Sequence, residues 1–400
     1  KPFWLKRYWL RARAKVHPPA PLLRRSPGMV LPRVTALLLG SVSVVSAAAT
    51  PGDPFPPAVA GGGWQWVPMP GSKCMDGQGT GVYIRRGHSD STKLAVYLNG
   101  GGACFDTATC MMAATNPQPG KPGDSGIFST DEMNPLHDFN WINVPYCTGD
   151  VHLGAAENQV GGAHRYFHGH ANLQLIAARA VASWPKLETL LVTGESAGGF
   201  GALASYAVFR ERWTAATGNS DLRALLLDDS GPIMDDAAIP VCLQQIWRES
   251  WNINASLAAG CPCIGSQGNI ASVWAYWRKM YPNDSFGLIS SVQDSVISKF
   301  FSFGLDDCRF PFPVPGYSKM LEGGLQRLSA TGVPVYMIPG SSHTHTTSDE
   351  FFNRTVGTTR LCEWVAQLAG PGPDPGSVSA PADGGGTAGS LVDAASDIVV

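Results

Sequence analysis

A serine stands at the centre of Gly194-Glu195-Ser196-Ala197-Gly198, directly after the apolar run Leu190-Leu191-Val192-Thr193. A serine hydroxyl is a weak nucleophile unaided. Acyl chemistry at such a residue needs a base, an acid that orients the base, and donors for the charge that develops on the carbonyl oxygen. Donors are available where Leu94-Ala95-Val96-Tyr97-Leu98 runs into Asn99-Gly100-Gly101-Gly102-Ala103. The backbone N–H groups of Gly101 and Gly102, joined by that of Ala197, could converge on one oxygen, although a glycine triplet also suits a plain loop. Two acids close apolar runs: Asp229, after Leu225-Leu226-Leu227-Asp228, and Asp294, shortly after Phe286-Gly287-Leu288-Ile289-Ser290-Ser291. In the chain order Ser, Asp, His the acid follows the later strand, which favours Asp294 and leaves Asp229 to cap or brace the loop at Ser230-Gly231-Pro232. The base is expected last, in Pro339-Gly340-Ser341-Ser342-His343-Thr344-His345, with His343 the first choice and His345 the alternative that spacing alone does not separate.

These residues need a scaffold of strands that end at one level. Ser196 is preceded by a strand pattern and followed by a helical one (Phe200, Leu203, Ala204, Ala207, Val208), so the motif reads as the nucleophile elbow of an α/β-hydrolase. Side chains at positions 194 and 198 would clash in a turn that sharp, which accounts for Gly194 and Gly198.

The chain has 400 residues, 44% of them hydrophobic, and a net charge of -2, the profile of an ordinary soluble globular protein with a large core. Nothing in that charge balance points to nucleic acid. With 46 Gly and 31 Pro, many turns and long loops are expected between elements. Residues 1–28 are basic and proline-interrupted and are expected to be an upstream extension. Residues 29–49 begin Met29-Val30-Leu31-Pro32-Arg33 and continue into an uncharged stretch ending in small residues, the pattern of a secretory signal peptide too short for a comfortable membrane span. Residues 50–369 are expected to form one domain, acting as a monomer, and residues 370–400, rich in Gly, Pro, Ala, Ser and Asp, a disordered tail.

Nine cysteines (Cys74, Cys104, Cys110, Cys147, Cys242, Cys261, Cys263, Cys308 and Cys362) are scattered, which in an exported protein suggests up to four disulfides and one free thiol. His164, His168 and His170 have ligand-like spacing and, with Asp150 or His152, could hold a divalent metal. The stretch is Gly- and Asn-rich and lacks a second ligand pair, so a loop wall beside the pocket is the preferred reading and no metal is assigned.

Several stretches resemble the pectin acetylesterase and Notum family of secreted serine esterases. They are Lys73-Cys74-Met75-Asp76-Gly77 with Tyr83, Leu98-Asn99-Gly100-Gly101-Gly102-Ala103-Cys104 with Cys110, Asn134-Pro135 with Phe139-Asn140-Trp141, Val144-Pro145-Tyr146-Cys147-Thr148-Gly149-Asp150, and the Ser196 elbow. The resemblance spans most of residues 74–201 and thins after Gly231. It implies an α/β fold, a three-layer α/β-hydrolase-like sandwich with a mostly parallel sheet, a Ser196, Asp294 and His343 triad, no cofactor, and disulfides Cys104 to Cys110 and Cys74 to Cys147. Plant members carry a tryptophan in the glycine turn where this chain has Gly102-Ala103, so the turn is more similar to bacterial members. The implied activity is removal of an O-acyl group, most simply acetyl from a polysaccharide such as pectin. The alternatives are a Notum-like deacylase of lipidated protein and, in a different class, a non-catalytic secreted carbohydrate-binding protein on the same scaffold.

Overall fold

The computed structural model describes residues 52–58, 62–88, 91–113, 115–309 and 318–380. The expected leader (29–49) and its upstream extension lie outside the described residues, as does the stretch 381–400.

Twelve strands occur among the described residues: β1 (Gln65–Pro68), β2 (Gly81–Arg85), β3 (Lys93–Leu98), β4 (Asn140–Val144), β5 (Ala156–Val160), β6 (Ala163–Phe167), β7 (Thr189–Glu195), β8 (Arg223–Asp229), β9 (Ser285–Ser291), β10 (Val335–Ile338), β11 (Thr355–Val356) and β12 (Thr359–Arg360). Eight of them form one sheet in the order β1-β2-β4-β3-β7-β8-β9-β10, while β5 with β6 and β11 with β12 are small hairpins. Only β2 runs against its neighbours; β4, β3, β7, β8, β9 and β10 are mutually parallel.

The inner strands are apolar on both faces, as a covered parallel sheet requires. Successive side chains alternate between two cores. Leu94, Val96, Leu98, Leu190, Val192, Ala224, Leu226, Phe286 and Leu288 enter the larger core, and Ala95, Tyr97, Leu191, Leu225, Leu227 and Ile289 enter the smaller. The larger core is closed by α2 (Gly169–Ser183), which lays down Leu173, Ile176, Ala177 and Ala180, and by aromatic residues of α4 (Tyr206–Thr217), α5 (Val241–Trp251) and α6 (Ser272–Met280). The opposite face is covered mainly by the helix Leu361–Ala369, through Leu361, Trp364, Val365 and Leu368. The result is an α/β-hydrolase-like three-layer sandwich. Among the described residues no helix is long and apolar enough to cross a membrane.

Two short helices matter to the site: α1 (Thr107–Met112), after the glycine turn, and α3 (Ala197–Ala204), after Ser196. The helical pattern read through Val208 is divided at Ser205, where α3 ends and α4 begins.

The tail expected from residue 370 requires correction. Ser377 and Val378 lie against the edge strand β10: Met337 N donates to Val378 O at 2.8 Å and Val378 N to Val335 O at 2.9 Å. Val335 N donates to Ser377 Oγ at 3.1 Å, and the Trp364 indole donates to Gly376 O at 2.9 Å. Composition underrated this stretch because it is held by backbone hydrogen bonds rather than by its own apolar residues. Four hydrogen bonds at about 1 kcal/mol each predict that truncation after residue 370 lowers the thermal unfolding midpoint by roughly 5 °C. An unchanged midpoint by calorimetry would show that the segment adds nothing to stability.

Candidate active site

Ser196 lies at the end of β7 with φ 54° and ψ -122°, a left-handed conformation that a serine adopts only when its surroundings impose it. Its N–H donates to Asp229 O at 2.7 Å, at the end of the adjacent β8. The imposed turn depends on backbone meeting backbone. A Cβ added to Gly198 would stand 1.9 Å from Leu98 O and 2.9 Å from Asn99 O, so only glycine lets α3 start against the end of β3. The Ser196 hydroxyl is half-buried and makes no hydrogen bond among the described residues.

Asp294 and His343 meet. They follow β9 and β10, and His343 Nδ1 lies 2.7 Å from Asp294 Oδ2. The other carboxylate oxygen, Oδ1, caps α7 (Ser295–Phe301) by accepting from Val296 N and Ile297 N at 2.9 Å each. Asp294 is fully buried, so both oxygens are fixed and the imidazole has one orientation, with Nδ1–H toward the acid and Nε2 available on its other side. Burial lowers the His343 pKa, but the hydrogen bond and charge of Asp294, with Asp229 and Glu195 beyond, outweigh it and hold the imidazole above its ordinary value.

His345 is placed differently. Its Nε2 is 3.1 Å from Ser291 Oγ, and burial pushes its pKa down. Asp229 does not face His343 Nδ1 either. Its Oδ2 accepts from His345 N and Thr346 N at 2.8 Å and from Thr346 Oγ1 at 2.7 Å. It therefore braces the histidine loop, which the sequence reading did not foresee; the expected brace at Ser230 is present as well, through Ser230 Oγ donating to Asp229 Oδ1 at 2.9 Å.

The glycine turn leaves donors unused. Among the described residues, the N–H groups of Gly100, Gly101, Gly102 and Ala197 have no partner. Gly100, which the sequence reading passed over, is the one against Ser196: a Cβ there would fall 2.9 Å from Ser196 Cβ. Gly101 packs on the Tyr146 ring, where an added Cβ would meet Cδ1 at 2.3 Å.

The Tyr146-Cys147-Thr148-Gly149-Asp150 block supports this turn. Tyr146 OH accepts from Val151 N at 2.8 Å. Asp150 is buried, its pKa raised to about 6 by desolvation, and it accepts from Thr148 Oγ1 at 2.5 Å and Gly169 N at 2.9 Å. Burial lowers the His152 pKa to about 4, so the ring is neutral and its Nε2–H donates to Asn99 O at 3.0 Å. Asp150 and His152 thus hold backbone. Cys74 is bonded to Cys147, and Cys104 to Cys110 across the start of α1. Trp251 Nε1 donates to Cys104 O at 2.7 Å and Cys104 N to Gly149 O at 2.7 Å, while Asn99 N donates to Val144 O at 3.0 Å, so the turn is tied at both ends. Cys242 with Cys308 and Cys261 with Cys263 are also bonded, and Cys362 is free.

The histidine stretch is not a loop wall, a correction to the sequence reading. His164 lies on β6, His168 precedes α2, and His170 is within α2. His164 and His168 meet Glu157 at 3.4 and 3.0 Å, and His170 Nε2 meets Gln174 at 3.0 Å. Among the described residues no three His, Cys, Asp or Glu side chains are grouped to hold a metal.

Residues 66–262 match the Pectinacetylesterase family. Over these residues, about half of its length, the chain is similar to the pectin acetylesterase and Notum family. The match includes the glycine turn, the Tyr146 to Asp150 block and Ser196, but ends before Asp294 and His343. Among individual proteins, the chain is 30% identical over 144 residues to "Palmitoleoyl-protein carboxylesterase NOTUM" of Schmidtea mediterranea, covering 33% of this chain and 27% of that protein. It is 25% identical over 173 residues to "Palmitoleoyl-protein carboxylesterase notum1a" of Danio rerio, covering 41% and 34%. For the Homo sapiens protein named "Palmitoleoyl-protein carboxylesterase NOTUM" the identity is 24% over 173 residues, again covering 41% and 34%. The chain spans about a third of the length of these relatives.

The histidine environments predict an order of titration readable by NMR. His343 protonates above the ordinary imidazole value, His345 below it, and His152 near pH 4. A His345 resonance that titrates above that of His343 would reverse their roles.

Proposed function

We propose that the chain is a secreted serine carboxylesterase that removes O-acyl groups, acetyl in the first instance, from a polysaccharide such as pectin. The observation that carries this reading is the Asp294 and His343 pair, formed by loops after successive strands at the same sheet edge as the strained Ser196 turn and its unused N–H donors. In the mechanism this supports, Ser196 Oγ attacks the ester carbonyl as its proton passes to His343 Nε2. The oxyanion accepts from the N–H groups of Gly101, Gly102 and Ala197, with Gly100 beside them. The imidazolium, held by Asp294, returns the proton to the leaving alcohol, and acyl-Ser196 remains. Water then attacks it, giving its proton to His343, which passes it back to Ser196 Oγ as the carboxylic acid departs. Serine-to-imidazole hydrogen bonds are often long in unliganded enzymes and tighten with substrate, which accords with the unpaired Ser196 hydroxyl.

The family match at residues 66–262 supports the acetyl ester as substrate. The Notum relatives, whose names specify palmitoleoyl-protein carboxylesterase activity, supply a second reading in which the acyl group is a long lipid on a protein. Four disulfides support action in an oxidising compartment outside the cytosol.

Turnover of chromogenic esters from acetate to palmitoleate tests the reading directly. Acetate is expected to be the better substrate; a preference for long chains selects the lipid deacylase, and no turnover of any ester leaves a non-catalytic carbohydrate binder. Ser196→Ala is expected to lose about 10⁴-fold or more in kcat. His343→Ala and Asp294→Asn should be severely impaired and His345→Ala mild; a Ser196→Ala variant within tenfold of wild type sinks the serine mechanism.

Neutral His343 is the active form, and its pKa is held up. Activity should therefore fall with acidification through a single limb centred above the ordinary imidazole value of about 6.5. A limb well below that value, measured as kcat/KM against pH, would contradict the assignment.

A further inference from the structure

The amides that follow His343 are collected by one short segment at the end of β8, and that segment also holds the backbone of Ser196. Asp229 ends β8 and is fully buried. Through its main chain it accepts the Ser196 N–H at 2.7 Å. Through its side chain it receives the three bonds from His345 N, Thr346 N and Thr346 Oγ1. Its neighbour Ser230, at φ 61°, completes the set: Thr344 N donates to Ser230 Oγ at 3.2 Å, and Ser230 Oγ donates to Asp229 Oδ1 at 2.9 Å. All three amides that follow His343 are thus tied to Asp229 and Ser230, more than a hundred residues earlier in the chain.

We propose that Asp229 is a positioning residue of the esterase, which couples the placement of Ser196 to that of His343 and supplies negative charge behind the imidazole. This rests on the ester-hydrolase reading above. Thr344 has φ 60°, so the loop turns sharply after His343. The remaining bonds to this stretch hold other groups: His345 Nε2 lies 3.1 Å from Ser291 Oγ, Thr346 O accepts from Ile127 N at 2.6 Å, and Thr347 O accepts from Ser125 Oγ at 2.9 Å, whereas the amides of residues 344–346 go to Asp229 and Ser230. A buried carboxylate that collects N–H and O–H donors from a loop defines that loop's position, because leaving any of these groups unpaired in the interior is costly. The charged groups facing His343 are Asp294 from the loop after β9, Asp229 from β8 and Glu195 from β7, and all three favour the imidazolium. A misplacement of about 1 Å can cost about 10²-fold in rate.

Asp229→Asn keeps an oxygen for the two amides and removes the charge; Asp229→Ala removes both. Asn is expected to reduce kcat about tenfold and Ala about a hundredfold, with KM within about twofold of wild type. In the Asn variant the acid limb of kcat/KM should move to lower pH, since one of the three charges favouring the protonated base is gone. Ser230→Ala, which frees the Thr344 N–H and removes the donor to Asp229 Oδ1 but keeps the carboxylate, should lower kcat without moving the limb. Should the Ala variant fail to fold, the Asn and Ser230→Ala variants decide the matter. The His343 imidazole is also titrated by NMR in Asp229→Asn, a measurement that does not depend on turnover. A lowered His343 pKa together with reduced kcat upholds the proposal. An Asp229→Asn variant with wild-type kcat and wild-type His343 titration overturns it. Activity surviving in Ser196→Ala would instead overturn the ester-hydrolase mechanism, and the His343 titration would still decide the role of Asp229.

Discussion

Everything at this site depends on how closely the ends of β3 and β7 approach. Leu98 is paired with Gly194 across the sheet, and the chain after β7 turns back so tightly that Gly198 lies against the carbonyl of Leu98. That contact forces Ser196 into its left-handed conformation and starts α3 at the level where the glycine turn leaves β3. The strain, of order 1–3 kcal/mol for such a residue, is small beside the burial of the flanking strands. The apolar residues of β3, β7 and β8 are almost wholly inaccessible, so the sheet can hold a turn that would relax in isolation.

Around this fixed point the site is assembled from pieces that share a sheet edge but little sequence. The glycine turn belongs to β3, Ser196 to the end of β7, its backbone partner Asp229 to β8, Asp294 to the loop after β9 and His343 to the loop after β10. A parallel sheet brings all five carboxyl ends to one side, and each loop is then fixed by a buried polar residue. His152 holds Asn99 O, Asp294 caps α7, and Asp229 collects the amides after His343. These groups are buried and paired, which makes them rigid.

What the sequence revealed follows from range. The Ser196 elbow, the glycine turn and the apolar runs that become β3, β7, β8, β9 and β10 are local patterns, and residues 194–198 can be read without knowing what packs on them. The Cys74 to Cys147 and Cys104 to Cys110 disulfides and the Tyr146 to Asp150 block were legible through resemblance, whereas the pairings of Cys242 with Cys308 and Cys261 with Cys263 were not. The role of Asp229 was not, because its side-chain partners are at positions 345 and 346 and no local pattern announces a carboxylate that binds distant amides. His152 invited a metal reading for the same reason: its spacing was visible, and the carbonyl of Asn99 that it serves was not. The histidines at 164, 168 and 170 sit on a hairpin and a helix start, where Gly and Asn suggested only a loop.

The segment at 377–378 has a consequence for the molecule as a neighbour of others. β10 is the last strand of the sheet, apolar on both faces, and without a cover it would present unpaired N–H and C=O groups to any passing chain. Val378 occupies part of that ladder, and its bridge to Tyr336 is parallel, so the protein adds its own short strand where a foreign one could dock. The far edge is blunted differently, by the four residues of β1, which end at Pro68. At one border of the sheet the ladder is partly taken up by the protein's own chain, and at the other little strand is left for a foreign one to extend.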